Sequence, residues 1–368
     1  MSDANSRDAD TRDANSDANG RAEPPVEDPG SLVVPALSFP FPARLHPDAD
    51  ALEQRLLDWM RTHHLDRSGA EVTARGQQMV GRAGAWLCPT GPIDRVTLAC
   101  YTVLWMATLD DRLSEPAART GELTALAHHW LAFDRILMRD PHHRTRSALE
   151  SALHDLWQRL STVAGPGQLA RLHQAILLLG HGFTAEAVHA TARKPPTLAE
   201  YRHIRHATSG LGIYTVVLEI AGGFELPLSV VQEPEVQTLT TLAIEIVTTT
   251  NEIVTCPSDV GLGDDLNLAV LLAREHGTTV QEGMEEAATE LRRLTDRFLH
   301  LCEHLGARNP EAIEPYTAAL KDFIAGHLAW LAETDRYAAS NRACARSRSL
   351  LRREGDEGER RRGASVGQ

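Results

Sequence analysis

The sequence predicts an all-α fold, a single-domain helical bundle, and three observations support this prediction. Apolar residues recur with a period near 3.6 over most of the chain between about residues 49 and 341, as amphipathic helices require. The segments between these runs carry Pro or Gly, which interrupt helices. Alternating β-branched residues are scarce outside LVVPALSFPFP, whose prolines exclude it from a sheet interior. The sequence contains no fixed-period repeat, which argues against a solenoid.

The predicted helices follow one another along the chain. The first is ADALEQRLLDWMRTH, which places Leu52, Leu56, Trp59 and Met60 on one stripe. The breaks that separate the later helices are CPTGP, DPHH, AGPG, KPPT, FELP, GLGDD and RNPE. Short connections between about ten helices favour one bundle. The remaining helices are predicted at about 91–113, 121–138, 146–162, 167–192, 197–222, 228–256, 279–306 and 310–341.

The two ends of the chain have a different composition from the middle. Residues 1–31 repeat Asp-Ala-Asn-like units and then turn to Pro and Gly, which predicts a disordered leader. Residues 343–368 include RREGDEGERRRGASVGQ, a low-complexity sequence that predicts a disordered polar tail. We therefore expect the folded domain to occupy residues 32–342.

The overall composition limits the classes of function. Hydrophobic residues make up 42% of the 368 residues and charged residues 24%, which is ordinary for a globular protein. A formal net charge of −13 argues against non-specific binding of nucleic acid, which needs a basic surface. The five cysteines are scattered without paired spacing, and no apolar run of about 18 residues indicates a membrane span. We expect reduced thiols and a cytoplasmic location.

A carboxylate cluster ends the helix predicted at 91–113. In WMATLDDRLSEP, Asp111 and Glu115 are four residues apart and therefore share one face of a helix, with Asp110 beside them. Carboxylates at the end of an apolar helix need a neutralising partner. Mg²⁺ prefers such oxygens and commonly bridges them to a substrate phosphate. These three residues are candidate metal ligands, although a solvated helix end is the simpler alternative.

A second set of oxygen-bearing side chains lies in TTTNEIVTCPSD. Asn251, Thr255 and Asp259 are spaced at i, i+4 and i+8, so an unbroken helix would align them on one face. An amide oxygen, a hydroxyl and a carboxylate can together chelate one hard cation. Pro257 lies within this span and is expected to kink or end the helix, which would turn Asp259 away from the other two.

Cationic and phenolic side chains supply possible donors to phosphate. Arg336 and Tyr337 lie near the end of the last predicted helix, and both are hydrogen-bond donors. Arg205 precedes Ser209 and Gly210, where the helix could break and expose backbone groups.

These stretches together resemble the bacterial class I terpene synthases. Asp110, Asp111 and Glu115 resemble the aspartate-rich motif of that family, although Ser114 stands where many members carry the third Asp. Asn251, Thr255 and Asp259 resemble its second metal motif. Arg205, 46 residues before Asn251, resembles the diphosphate sensor, and Arg336 with Tyr337 the C-terminal Arg-Tyr pair. The resemblance covers residues 35–340.

The resemblance implies a fold and a reaction. It implies a helical bundle of the class I terpenoid synthase type with a central apolar cavity. Three Mg²⁺ ions, held by the two motifs, would bind the diphosphate of a linear prenyl substrate. Arg205, Arg336 and Tyr337 would bind the same group, the Ser209 carbonyl would face the cation, and release of diphosphate would start cyclisation to a terpene hydrocarbon or alcohol.

The resemblance leaves the substrate and the oligomeric state open. Farnesyl diphosphate is favoured, and geranyl, methylated geranyl and geranylgeranyl diphosphate are alternatives; a homodimer is an open possibility. Trp105 and Trp330 are candidate substrate-binding aromatics, although core packing explains a helical Trp equally well. Aliphatic side chains such as Met106, Val216 and Leu218 are expected to line the cavity.

The sequence also allows three other interpretations. A di-iron bundle uses paired Glu-x-x-His motifs, which occur here as Glu186 to His189 and Glu200 to His203, but partner glutamates are not evident. A prenyl-chain-elongating synthase needs a second aspartate-rich motif, and GLGDDLN lacks its third acid. A non-catalytic helical interaction protein would leave the four spaced motifs unexplained.

Overall fold

The computed structural model describes residues 28–66, 80–121, 123–192, 196–263 and 266–334. Within these ranges the chain is all-helical and contains no strand, which confirms the predicted fold class. A 3-10 turn at Pro29–Ser31 precedes fourteen α-helices. Their bounds are α1 Ala49–Thr62, α2 Val80–Leu87, α3 Ile93–Leu109, α4 Glu115–Thr120, α5 Leu123–Leu137, α6 Ala148–Val163, α7 Pro166–Ala192, α8 Leu198–Thr208, α9 Leu211–Gly222, α10 Leu228–Val231, α11 Pro234–Leu262, α12 Leu268–His276, α13 Val280–Arg308 and α14 Pro310–Glu333.

The long helices pack around one continuous apolar core. α3 packs against α1, α2, α6 and α9, whereas α11 packs against α13 and α14. α2 joins these two groups because it also packs on α14. Burial of apolar stripes from all of these helices removes a large nonpolar area from water and is the main force holding the bundle together. The first predicted metal motif directly follows α3 and the second lies on α11, so both are attached to helices of one apolar core.

The helix periodicity was a good guide to where helices lie and a poorer guide to where they are interrupted. Two predicted helices are each divided in two: 197–222 forms α8 and α9, and 228–256 forms α10 and α11. α2 and α12 were not predicted, because eight or nine residues are too few to establish a periodic pattern.

Pro257 was expected to kink or end its helix; the ending is wrong, and the kink stays a prediction. α11 continues past this residue to Leu262. Proline removes the hydrogen bond that its own N–H would donate and crowds the carbonyl of residue 253. Buried neighbours on the same helix, including Ile253 and Cys256, nevertheless hold the segment in the core.

Other predictions concern the chain ends and the membrane. Residues 1–27 and 335–368 lie outside the described residues, so the predicted leader and tail stay predictions. Among the described helices, none combines the length and the apolar character that crossing a bilayer requires. Cys88, Cys100 and Cys302 are buried free thiols, as expected, and Cys256 is also buried.

Candidate active-site cavity

A cavity of about 410 Å³ lies between the helices and collects most of the predicted polar residues. Its walls come from α2, α3, α7, α8, α9, α11 and α14, and its lining combines aliphatic and aromatic side chains with a group of acids, amides and one arginine. The lining residues that were predicted from the sequence are Met106, Asp110, Glu115, Arg205, Ser209, Asn251, Thr255, Asp259 and Trp330.

The first carboxylate cluster lies on a π-helical turn, Asp110–Ser114, that follows α3 directly. The Glu115 N–H donates to the Asp110 carbonyl, five residues back instead of four. This places Asp110 and Glu115 one turn apart, and both line the cavity, whereas Asp111 does not. The sequence had predicted the α-helical pair Asp111 and Glu115. The π turn is a common device at functional sites because it rotates side chains relative to a regular helix.

The three acids of this turn fit a divalent cation. Ligand oxygens of Asp110, Asp111 and Glu115 all lie within 4.8 Å of one another. No second cluster of three His, Cys, Asp or Glu residues with this proximity occurs in the parts of the chain that the structure describes. Hard carboxylate oxygens at this spacing are suitable ligands for Mg²⁺.

The second set of oxygens is brought together on α11. Asn251, Thr255 and Asp259 all line the cavity, so the aligned arrangement holds despite Pro257. The Thr255 hydroxyl donates to Asp259 Oδ2 at 2.7 Å, and the Asn267 amide donates to the same oxygen at 2.9 Å. Asn267 is fully buried and also donates to the Glu252 carbonyl at 2.9 Å. It fixes the Asp259 carboxylate, a role that the sequence analysis missed.

Arg205, at the predicted sensor position, donates hydrogen bonds to α11, the helix with the second predicted set of metal ligands. Its Nη2 donates to Asn251 Oδ1 at 3.0 Å, and its Nε donates to Glu252 Oε1 at 2.6 Å. Burial acts to lower the pKa of Arg205, but the adjacent Glu252 carboxylate outweighs burial and raises that pKa above its ordinary value. The guanidinium therefore stays cationic at the cavity wall.

Glu252 is the second functional residue that the sequence analysis did not select. It is buried and accepts hydrogen bonds from Arg205, from the Tyr201 hydroxyl and from the Leu268 N–H, the last at 2.9 Å. It thereby fixes α8, α11 and the start of α12 relative to one another. Arg205 and Glu252 are 47 residues apart, and a charge pair at that separation has no signature in a single sequence.

The predicted break near Ser209 is present. α8 ends at Thr208, and Gly210 has a φ of +66°, a left-handed conformation that favours glycine. The Ile213 and Tyr214 amides donate to the Gly210 carbonyl rather than to the carbonyl of Ser209. Ser209, whose hydroxyl donates to the His206 carbonyl at 3.0 Å, lies on the cavity wall at this break.

The structure corrects part of the predicted apolar lining. Trp105 is only 1% exposed, is not among the lining residues, and donates through its indole N–H to the Leu149 carbonyl at 3.2 Å. It is therefore a core residue, packed edge-on against Phe133 at a centroid separation of 5.6 Å. Val216 and Leu218 are also buried away from the cavity. The aromatic lining consists of Phe183, Tyr201, Tyr214, Phe323 and Trp330.

His327 is a polar residue of the cavity that no motif indicated. Burial, aided by the charge of Arg205, lowers its pKa to about 3, so the ring is neutral near pH 7. Its Nε2 atom is buried and has no hydrogen-bond partner among the described residues. The ring lies beside Trp330, with centroids 6.0 Å apart.

The predicted Arg-Tyr pair and the two Glu-x-x-His motifs remain to be compared with the structure. Arg336 and Tyr337 lie outside the described residues. Of the two Glu-x-x-His motifs, Glu186 and His189 line the cavity, but Glu200 forms the capping box of α8 with Thr197. Glu200 therefore has a structural role, and the described residues do not assemble a di-iron ligand set.

Comparison with known proteins supplies independent information on the chain. Residues 101–297 match the family described as terpene synthase family 2, C-terminal metal binding. The α-muurolene synthase of Coprinopsis cinerea is 26% identical over 325 residues, covering 84% of this chain and 75% of the relative. A (−)-β-caryophyllene synthase of Saccharothrix espanaensis, whose name specifies cyclisation of (2E,6E)-farnesyl diphosphate, is 24% identical over 324 residues, covering 85% and 91%.

A solved structure shows the same fold. The germacradien-4-ol synthase from Streptomyces citricolor superposes with a TM-score of 0.69 at 24% sequence identity, covering 80% of this chain and 99% of that one.

Proposed function

The chain belongs to the bacterial class I terpene synthases and is a terpene cyclase, and from that premise we propose that it ionises a linear prenyl diphosphate, farnesyl diphosphate in particular, in a Mg²⁺-dependent reaction. The observation that carries the proposal is one cavity with two groups of oxygen ligands from different helices, a buried arginine beside one of them and an apolar remainder. Such a cavity suits a substrate that is anionic at one end and a hydrocarbon elsewhere.

The two ligand sets are proposed to hold the metal. Asp110, Asp111 and Glu115 would bind on one side and Asn251, Thr255 and Asp259 on the other, and the family resemblance implies three ions in total. Bound Mg²⁺ supplies Lewis-acid stabilisation of the negative charge that develops on the departing diphosphate. All six side chains offer hard oxygen ligands, so their chemistry fits this cation.

The diphosphate is proposed to be held by cationic and phenolic donors of the chain itself. Arg205 keeps its positive charge, and its guanidinium has five N–H donors, more than the two that bond to Asn251 and Glu252. Arg336 and Tyr337 are proposed to complete these contacts. Preorganised donors of this kind favour the leaving group over the intact ester and therefore lower the barrier to ionisation.

The apolar part of the cavity is proposed to protect and fold the allylic cation. Its side chains exclude water, which would otherwise capture the cation and end the reaction. The Ser209 carbonyl is proposed to stabilise the cation near the site of ionisation. The faces of Phe183, Phe323 and Trp330 can add about 1 to 2 kcal/mol each when desolvated.

A fifteen-carbon substrate has the best support among the candidates. The caryophyllene synthase relative carries farnesyl diphosphate in its name, which suggests that substrate for this chain too. The cavity of about 410 Å³ lies in the range of roughly 300–1,000 Å³ common for ligand pockets. Geranyl, methylated geranyl and geranylgeranyl diphosphate are the alternatives.

The proposal is tested by incubating the purified full chain with Mg²⁺ and each prenyl diphosphate, followed by gas chromatography–mass spectrometry. We expect a cyclic C15 product from farnesyl diphosphate and loss of product on adding EDTA. The variants Asp110→Ala and Asn251→Ala should form no product while keeping the helical circular dichroism spectrum. Asp58→Ala, which alters an exposed acid of α1, is the control and should stay active. Full turnover in both cavity variants would contradict the assignment.

A further inference from the structure

A second cavity lies on the flank of the bundle, away from the catalytic residues. It has a volume of about 680 Å³ and is formed by the end of α5, the connection that follows it and one face of α6. None of its lining residues lines the first cavity. The reaction proposed above makes no use of this second cavity, so its chemistry needs a separate explanation.

The lining of the second cavity carries positive charge that carboxylates do not balance. Arg135 is paired with Asp140, with Nε 2.7 Å from Oδ2. Arg139 instead donates to the Ser161 hydroxyl at 2.8 Å, and Arg144 donates to the carbonyls of residues 141 and 143 at 3.0 and 2.9 Å. Within the described part of the chain, Arg139 and Arg144 thus have only neutral oxygen partners. Their charge is notable on a protein with a formal net charge of −13.

Two buried side chains of the same cavity have unsatisfied nitrogens. Trp157 is 5% exposed, and its Nε1 has no hydrogen-bond partner among the described residues. An indole N–H can only donate, and leaving such a donor buried without an acceptor costs about 1–3 kcal/mol. His143 has a side chain that is 8% exposed, and its Nε2 lies 3.2 Å from Glu150 Oε2 without forming an aligned hydrogen bond. The cavity therefore offers one buried donor, the Trp157 N–H, in addition to its exposed cations.

The backbone holds these groups in place. Arg139 has a φ of +54°, an uncommon value for a residue other than glycine. Its N–H donates to the Ile136 carbonyl at 2.9 Å, and the Asp140 N–H donates to the Arg135 carbonyl at 2.9 Å. Asp140 also accepts the His142 N–H at 2.8 Å. This bonding fixes the backbone of the turn that carries Arg139, and the Ser161 hydroxyl holds its guanidinium.

We propose that this second cavity is a binding site for a phosphate-bearing anion. Guanidinium groups bind phosphate oxygens through two parallel hydrogen bonds, and the Trp157 N–H needs an acceptor. A phosphate or diphosphate group has enough acceptor oxygens to engage Arg139, Arg144 and Trp157 together. The anion can be free inorganic diphosphate or the head group of a prenyl diphosphate; the site itself rests on the cavity and not on the proposed function.

The test is isothermal titration calorimetry of the full chain with inorganic diphosphate in buffer containing EDTA. We expect one binding event that weakens at least about tenfold in the double variant Arg139→Ala/Arg144→Ala, which removes two charge-assisted donors. Trp157→Phe keeps the ring and removes the N–H, and we expect about three- to tenfold weaker binding. Arg292→Ala is the matched control, because Arg292 also donates to a hydroxyl, that of Thr289 at 2.8 Å, and lies elsewhere.

The double variant Asp110→Ala/Asn251→Ala separates this site from the first cavity. We expect it to bind inorganic diphosphate with unchanged affinity in EDTA. Absence of binding in the wild type, or binding retained in Arg139→Ala/Arg144→Ala, would overturn the proposal. The circular dichroism spectrum of each variant shows whether its fold is intact.

A second titration identifies the source of the anion. Farnesyl diphosphate is added in the same EDTA buffer, where no turnover is expected. Binding at least about tenfold tighter than that of inorganic diphosphate, and sensitive to Arg139→Ala/Arg144→Ala, indicates a prenyl diphosphate, whose chain could contact the exposed Met138. Equal affinity for farnesyl diphosphate and inorganic diphosphate indicates that the ligand of this site is free diphosphate. A failure of catalysis in the earlier assay would leave both titrations unaffected.

Discussion

Glu252 determines the position of Arg205, and this single carboxylate has a larger structural role than its neighbours on α11. It receives hydrogen bonds from Arg205, Tyr201 and Leu268, which belong to two other helices. Ordered donors to a departing anion are effective only when their own geometry is fixed beforehand. We therefore propose that Glu252 is a positioning residue, which would act on the diphosphate through Arg205.

We predict that Glu252→Gln reduces both turnover and stability. The amide keeps the shape of the side chain but leaves the buried Arg205 charge uncompensated, which should lower the free energy of unfolding by about 3 kcal/mol. Arg205 would also lose its fixed orientation, so kcat should fall more than KM rises. Steady-state kinetics and urea unfolding measure the two effects.

The chain contains a matched control for this substitution. Arg202 lies on the same helix as Arg205. Its Nη1 and Nη2 atoms both donate to the Glu290 carboxylate, away from the cavity. Glu290→Gln should cost less than about 1 kcal/mol, because solvent screens the exposed pair, and should leave turnover unchanged. Equal kinetic losses in the two variants would show that Glu252 has no special connection to the reaction.

The pKa of Glu53 leads to a prediction of how the stability of the protein depends on pH. It lies on α1, its Oε2 accepts the Arg82 N–H at 2.9 Å, and its Oε1 is buried without a partner among the described residues. Burial raises the pKa of Glu53 from 4.5 to about 7, with a further rise from Glu333 that Arg82 opposes. The unfolded chain therefore loses this proton near pH 4.5, and the folded chain only near pH 7.

Stability should consequently fall as the pH rises through this window. Below pH 4.5 both states hold the proton, and above pH 7 the folded state bears the full cost of a buried charge, about 3 kcal/mol. We predict that Glu53→Gln removes this fall, so that urea midpoints of wild type and variant diverge between pH 5 and 8. Glu303→Gln, at an exposed site, is the control. Parallel curves for Glu53→Gln and wild type would refute the prediction.

At the scale of elements, helix interruptions create the site, and these are what the sequence predicts least well. Apolar periodicity located α1, α6 and α13 to within a few residues, because each buries one regular stripe. The π turn at Asp110–Ser114 has no such signature. It differs from an α-helix only because its hydrogen bond reaches five residues back instead of four. Consequently the sequence placed the acids correctly but selected Asp111 instead of Asp110 as the partner of Glu115 on one face.

The break between α8 and α9 leads to a prediction at Gly210. Gly210 has a left-handed conformation, which a residue with a Cβ rarely adopts. An added Cβ would also clash with the Met106 side chain on the cavity wall. Gly210→Ala should therefore lower the free energy of unfolding by about 1–2 kcal/mol and also shift Ser209 and Met106. We expect an altered product distribution by gas chromatography–mass spectrometry.

Gly223, at the end of α9, separates the backbone effect from the effect on the cavity. Its φ of +75° is similar, but a Cβ there would have no atom within 4 Å. Gly223→Ala should thus cost a similar free energy and leave the products unchanged. The same change in products for both variants would mean that general destabilisation, rather than the geometry near Ser209, controls the reaction course.

At the scale of the whole molecule, the resemblance to the terpene synthases implied that the two metal motifs share one cavity, but not the network of contacts that supports them. Asp110, Arg205 and Asn251 were all selected from the sequence and share one cavity. Glu252, Asn267 and His327 were not selected, because their roles arise from contacts between distant segments. A single sequence records such contacts only when a known family pattern includes them.

The arrangement of the two ligand sets leads to a prediction about global stability. Asp110 and Glu115 follow α3, whereas Asn251, Thr255 and Asp259 belong to α11, so a ligand that joins both sets connects two parts of the bundle. A ligand that binds only the folded state stabilises it by about 2.7 kcal/mol at a hundred times its dissociation constant. Mg²⁺ together with inorganic diphosphate should therefore raise the melting temperature by several degrees, on the order of 5 °C.

Mg²⁺ alone should raise the melting temperature less, because neither ligand set by itself completes the coordination of the ion. The gain over inorganic diphosphate alone should be reversed by EDTA and abolished in Asn251→Ala, whereas Asp58→Ala should retain it in full. The Arg139→Ala/Arg144→Ala variant should also retain it, since those residues lie outside the first cavity. A shift of equal size in Asn251→Ala and wild type would mean that the metal and the anion bind without α11, and the two helices would not then form one site.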